Sequence, residues 1–234
     1  MKNKLIMSLL FKSFVVIFAL LGVIFSIFNV GSDFMGGLSS LLYFTIQSNI
    51  WIMIYVLVEF ILVLKKQTLD IYNTITYNVK IVLTVAITLT MSVYLLLLAP
   101  SLSSYAWSVS NIFLHIIVPI FAILDLLINI PCRKVKLKYK YSLYSLIPPM
   151  YYLIFAIIGF YAPFDYAYGN NYPYFFFNFT SPAGIFGFSN VSPYYLGSFY
   201  WICILALVVF WVSSGYIWLL RKMSKTKNEK MSLT

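Results

Sequence analysis

Acidic side chains are scarce in this chain: six Asp and Glu stand against 16 Lys and Arg, with one histidine and two cysteines. One imidazole without nearby thiols or carboxylates cannot complete a tetrahedral zinc site, so no metal and no other cofactor is expected. The two cysteines, Cys132 and Cys203, fall at opposite ends of different apolar runs. That placement offers no disulfide framework. Charge of either sign is thin, at 9% of residues, whereas 62% are hydrophobic and the mean hydropathy is +0.91. A soluble domain needs a polar surface that this composition does not supply.

What the chain has in quantity is long apolar runs. A helix of about 20 residues crosses the ~30 Å hydrocarbon layer, and six runs approach or exceed that length: 13–30, 39–64, 79–99, 107–130, 143–161 and 196–220. The expected fold is therefore all-α, a polytopic membrane protein with six transmembrane helices in one domain, residues 13–220. A short N-terminal segment, 1–12, precedes it, and a basic tail, 221–234, is expected to be disordered. The first run is long, lacks a small-x-small cleavage site and is followed by further spans, so it reads as an uncleaved helix.

The basic residues are distributed unevenly. Lys2, Lys4 and Lys12 precede the first run, Lys65, Lys66 and Lys80 surround the second connection, Arg133, Lys134, Lys136, Lys138 and Lys140 fill the fourth, and Arg221, Lys222, Lys225, Lys227 and Lys230 occupy the tail. The first, third and fifth connections have none. By the positive-inside rule both termini are expected to be cytoplasmic. The net charge of +10 then implies anionic membrane lipids as partners. Charge divided among separate connections beside membrane spans argues against nucleic acid.

The fifth connection, within residues 162–195, is long and rich in aromatics, including Tyr172, Pro173, Tyr174 and Phe175. It is expected to act either as a lid on the outer face or as an interfacial anchor.

Polar residues inside apolar runs mark where chemistry is possible. In the second run Thr45, Ser48 and Asn49 fall at i, i+3 and i+4 on one helical face, with Gln47 on another. Glu59 returns near the same face deeper in. The fourth run carries His115, with Asn111 one turn before it, Pro119 one turn after it and Asp125 farther along. Proline has no N–H to give, which releases the carbonyl of His115 from its usual helical bond. By residue count Thr45 and His115 share a depth about 9–12 Å below the outer helix ends. A threonine hydroxyl needs a base to attack a carbonyl, and a neutral imidazole can take its proton. Asn49 and Asn111 are candidate oxyanion donors, supported by Ser48. The alternative is a hydrogen bond between Thr45 and His115 that only joins two helices. Glu59 and Asp125 form a possible second polar site, or else snorkel toward Lys65, Lys66 or Arg133.

Tyr43-Phe44-Thr45 in the second run, Asn111 and His115 followed by Pro119 and Asp125 in the fourth, and Tyr172-Pro173-Tyr174-Phe175 in the last outer connection resemble motifs of the androgen-induced protein family. That family includes six-helix membrane threonine hydrolases of fatty acid esters of hydroxy fatty acids, and the chain resembles its bacterial relatives most. The resemblance implies Thr45 as nucleophile, His115 as base, a lipid ester as substrate and a bacterial plasma membrane as location. A rival expectation is a transporter or small-molecule binder using Gln47, Asn49, Asn111, Glu59 and Asp125 as a polar path. Nothing in the sequence sets the oligomeric state.

Overall fold

The structure, a computed structural model, describes residues 2–28, 37–102, 106–129, 135–162, 164–166 and 169–232. Asp33 of the first connection, and Cys132, Arg133 and Lys134, lie outside the described residues. Six long helices run through the described chain: α1 Lys2–Ile27, α2 Phe44–Lys66, α3 Thr74–Leu98, α4 Val109–Ile128, α5 Tyr139–Tyr161 and α6 Ser198–Ser232. Each contains a segment long and apolar enough to cross a membrane. The described residues contain no strand beyond two isolated bridges in the last connection.

Local chemistry sets the boundaries. α2 ends where Gln67 takes a left-handed conformation (φ 49°), with Lys65 and Lys66 in its last turn against the negative end of the helix dipole. α3 starts at a reciprocal capping box between Asn73 and Thr76. α5 opens as a 3-10 helix, Tyr139–Leu146, and becomes α-helical at Ile147, so Pro148 and Pro149 sit in the first α turn, where proline costs little.

Three boundaries differ from the expectation. α1 is helical from Lys2 and α6 remains helical to Ser232, so the terminal segments continue the spans. α2 begins at Phe44 behind a 3-10 turn, Gly37–Leu42, which places Thr45 in its first turn rather than well inside it.

α3 is the central element, packed against α2, α4 and α6, while α1 packs against α2 and α4. α1 approaches α4 closely at Gly22, where an added Cβ would lie 2.6 Å from Leu114 Cδ2. Small residues at such crossings let membrane helices come together. The last connection folds back onto the bundle: Tyr166, Phe176 and Phe177 are buried, and Phe175 meets Trp201 of α6 edge to face at 5.4 Å.

Candidate functional site

Proline shapes both helices that carry the site's aromatic rings. Ahead of Pro119, the amide of Val118 bonds the carbonyl of Phe113, five residues back, and Phe113–Ile117 is a π-helical turn with His115 at its centre. Ahead of Pro100, the amide of Ala99 bonds the carbonyl of Tyr94, and Tyr94–Leu98 is a second π turn. With no proline N–H to close the ordinary ladder, the chain widens by one residue. The two turns face each other. His115 stacks on Tyr94 with ring centroids 3.7 Å apart and planes 10° from parallel. The Tyr94 hydroxyl donates to the carbonyl of Ala106.

His115 is 2% exposed. Its ring stands beside the Thr90 backbone, and Nδ1 has no hydrogen-bond partner. A neutral imidazole with its proton at Nε2 therefore keeps a free lone pair at Nδ1.

Thr45 and His115 line the same cavity, of about 60 Å³. That is room for a few water molecules. Its remaining walls are mostly apolar: Phe44 from α2, Leu89 and Val93 from α3, Pro149 from α5 and Leu205 from α6. Tyr174, Phe176 and Phe177 of the last connection complete it. Tyr174 reaches furthest in. Its phenol stands beside the Thr45 side chain and the backbone amides of Thr45 and Phe44. Those amides belong to the first turn of α2, where N–H groups have no partner within the helix, and the N-cap residue Tyr43 supplies no side-chain cap. The Tyr152 hydroxyl donates to the Leu42 carbonyl, 3.0 Å away, beside the same turn. Burial pushes the Tyr174 phenol up to about 12, against the pull of the neighbouring Thr45 and Phe44 groups. It is a neutral phenol at neutral pH.

The other residues of the Tyr-Pro-Tyr-Phe stretch pack around it. Pro173 is buried, Tyr172 meets the Tyr194 hydroxyl at 3.4 Å, and Phe175 leans on α6. Of these four residues Tyr174 is the one that lines the cavity.

The expected oxyanion donors are arranged differently. Asn49 directs its amide nitrogen to the carbonyls of Thr45 (2.8 Å) and Leu114 (3.2 Å), which braces α2 against the π turn of α4 and turns its N–H groups away from the cavity. Its Oδ1 is buried without a partner. Ser48 bonds the Thr45 carbonyl and the Thr90 hydroxyl, at 3.1 and 3.0 Å. Asn111 is buried on α4 and does not line the cavity. Beside the Thr45 side chain stand the first-turn amides of α2 and the Tyr174 phenol.

Glu59 and Asp125 do not snorkel. Both are buried, and they pair with two lysines expected to lie at the membrane surface. Lys12 lies 2.6 Å from Asp125 Oδ1 and 3.2 Å from Glu59 Oε2. Lys80 lies 2.5 Å from Asp125 Oδ2, 2.7 Å from Glu59 Oε2 and 2.8 Å from the Tyr72 hydroxyl. Asn129 adds a 2.8 Å bond to Asp125 Oδ1, and Ser8 another at 3.3 Å. The four charges cancel, and one comes from each of α1, α2, α3 and α4. Sequence reasoning missed Lys12 and Lys80 as members of this cluster, although Lys80 falls inside an apolar run, where a cation needs an internal partner.

An apolar layer separates this tetrad from the cavity. Val15 and Ala19 of α1, Ile52 and Val56 of α2, Ile87 of α3, and Val118 and Ala122 of α4 form one buried cluster. Along α4 the order is His115, Val118, Ala122, Asp125; along α2 it is Asn49, Ile52, Val56, Glu59. The ten residues from His115 to Asp125 span about 15 Å.

Comparison with known proteins finds that no family model, no curated protein and no solved structure matches the chain.

Proposed function

We propose that the protein is an intramembrane hydrolase that cleaves an acyl ester entering the bundle from the lipid, with Thr45 as nucleophile and His115 as base. The observation that carries this reading is the shared cavity: a threonine hydroxyl and an imidazole with an unpartnered Nδ1 line one small, mostly apolar chamber. In the proposed reaction Nδ1 of His115 accepts the Thr45 proton as Oγ attacks the ester carbonyl. The carbonyl oxygen becomes an oxyanion beside the Tyr174 hydroxyl and the first-turn amides of α2, where the positive end of the helix dipole favours negative charge. The imidazolium returns its proton to the leaving alcohol, leaving an acyl-threonine. Water then attacks that ester with His115 again as base, which releases the acid and restores Thr45.

The reading also takes the membrane to be a bacterial plasma membrane with both termini on the cytoplasmic side. The support is the confinement of basic residues to alternate connections.

The transporter reading draws on the buried tetrad. Against it stand the neutral pairing of that cluster and the apolar layer between it and the cavity, which interrupts a polar path.

Labelling of purified protein with a fluorophosphonate probe, read by intact mass, tests the proposal. A single adduct on wild type, absent in Thr45→Ala and reduced by about 10²–10⁴-fold in rate in His115→Ala, is expected. An adduct that persists in Thr45→Ala, or a wild type that neither labels nor hydrolyses long-chain acyl esters, overturns it.

A further inference from the structure

Six helices in series return the chain to the side on which it started, so the far end of α6 shares a face of the bundle with Lys65 and Lys66. At that end an open pocket of about 640 Å³ lies between α6 and residues 135–138 ahead of α5. Arg221, Lys222 and Lys225 line it together with Trp218, Tyr139 and an apolar floor that includes Leu137. Trp218, Arg221, Lys222 and Lys225 fall at i, i+3, i+4 and i+7, one face of the helix.

Two of the three cations of this pocket, Arg221 and Lys222, have aromatic partners instead of acids. The Arg221 guanidinium sits 4.9 Å above the Tyr139 ring and the Lys222 ammonium 5.4 Å from the Trp218 ring centre. Among the residues whose side chains are described, which on α6 end at Thr226, no carboxylate lines the pocket and none pairs with these side chains. Cation–π contacts orient a cation without neutralising it. Three positive charges therefore converge on an open concavity and retain their demand for an anion. Trp218 and Tyr139 are 54% and 48% exposed, as expected of rings at the boundary between hydrocarbon and headgroups.

We infer that this pocket binds the phosphate group of an anionic phospholipid, with Arg221, Lys222 and Lys225 on the phosphate and the first carbons of the lipid against Trp218 and the apolar floor. Guanidinium geometry suits a phosphodiester, and a basic pocket at the end of membrane helices is where acidic headgroups are held. The apolar floor and the position at the membrane boundary select a lipid over a free phosphate. The inference requires only that the six helices span a membrane, and it stands or falls independently of the hydrolase proposal.

The test is a titration of the full-length protein in neutral detergent with phosphatidylglycerol, phosphatidylcholine or inorganic phosphate, following thermal stability and lipid retained in native mass spectra. Phosphatidylglycerol is expected to raise the melting temperature and to remain bound at one copy, while the other two do neither. Arg221→Gln with Lys222→Gln removes two cations, each worth about 1 kcal/mol at such a surface, and is expected to weaken binding roughly thirtyfold. Lys65→Gln with Lys66→Gln, equal in charge and on the same face of the bundle, is expected to leave binding unchanged. These side chains are exposed, so each variant's stability without lipid reports whether its fold is intact. Equal stabilisation by phosphatidylcholine, an equal loss in the Lys65 and Lys66 variant, or full retention in the Arg221 and Lys222 variant overturns the inference. An equal effect of inorganic phosphate overturns the assignment to lipid.

Discussion

Tyr94 and His115 stack face to face, 3.7 Å between ring centres, and each lies in a π turn that precedes a proline. The stack holds the imidazole plane beside the Thr90 backbone. Its orientation therefore comes from helix irregularity and an aromatic neighbour, where many hydrolases use a carboxylate. Replacing Pro119 with Ala returns an N–H to α4 and lets an ordinary helical ladder close beneath His115. Thermal stability is expected to hold or rise, and Thr45-dependent labelling to fall at least about tenfold, as a misplaced base predicts. Unchanged labelling in a folded Pro119→Ala variant would show that the π turn does not position the histidine. Tyr94→Leu gives the complementary result, losing about 0.5–1.5 kcal/mol of aromatic pairing together with the labelling.

The buried tetrad sets a stability prediction. Lys80 binds both acids and Tyr72, so Lys80→Met leaves two carboxylates sharing Lys12 in a medium that offers no other counter-charge. Breaking one partner of such a cluster costs about 3–5 kcal/mol. The double variant Lys80→Met with Glu59→Leu removes one charge of each sign, restores neutrality and is expected to recover most of that loss. Lys65→Met, at the exposed end of α2, is expected to stay within about 0.5 kcal/mol of wild type. Chemical denaturation in a neutral detergent measures all three. A Lys80→Met variant no weaker than Lys65→Met would show that the tetrad is not a connected unit.

Six spans were readable in the sequence because hydrocarbon imposes length and composition directly on each helix. The polar face of α2 was readable too, since Thr45, Ser48 and Asn49 repeat at helical spacing and all are buried. The tetrad was not. Lys12 and Lys80 look like the ends of apolar runs, and a lysine at a run's end is usually a surface charge; only the helix starts at Lys2 and Thr74 carry them inward. Nor did spacing along α2 reveal that Asn49 would brace the carbonyls of Thr45 and Leu114, because that depends on the distance between two helices. Tyr174 was legible only as part of an aromatic stretch. Its placement on the first turn of α2 depends on the path of a long connection that no periodicity constrains.

Tyr174 carries a pH prediction. Its phenol is raised from the ordinary 10 to about 12, first by burial, so the folded protein favours the protonated form more than the unfolded chain does. The stabilisation from this preference is complete below pH 10 and is lost as the pH climbs toward 12. Tyr174→Phe has no such proton and lacks the hydroxyl that stands beside the α2 amides. The variant is expected to melt below wild type at pH 7–9, with the gap narrowing between about pH 10 and 12. A gap that stays constant across that range would show that the hydroxyl is not held in a desolvated environment. At neutral pH the same variant is expected to label more slowly at Thr45, in proportion to the lost donor.

Gly22 links packing to the proposed chemistry. A Cβ there would meet Leu114 at 2.6 Å from Cδ2 and 2.7 Å from Cγ, closer than the side chain can accept without moving. Leu114 precedes His115 in the π turn, and its carbonyl receives the Asn49 amide. Gly22→Ala therefore pushes on the turn that sets the imidazole. Overpacking of this kind costs about 1–3 kcal/mol, and the displacement should reach the ring of His115 through one peptide unit. Gly215 of α6 serves as the control, because a Cβ there meets nothing within 4 Å. Gly22→Ala is expected to lower both the melting temperature and the rate of Thr45 labelling, whereas Gly215→Ala leaves the labelling rate unchanged. If the two alanine variants label alike, α1 has no part in holding His115.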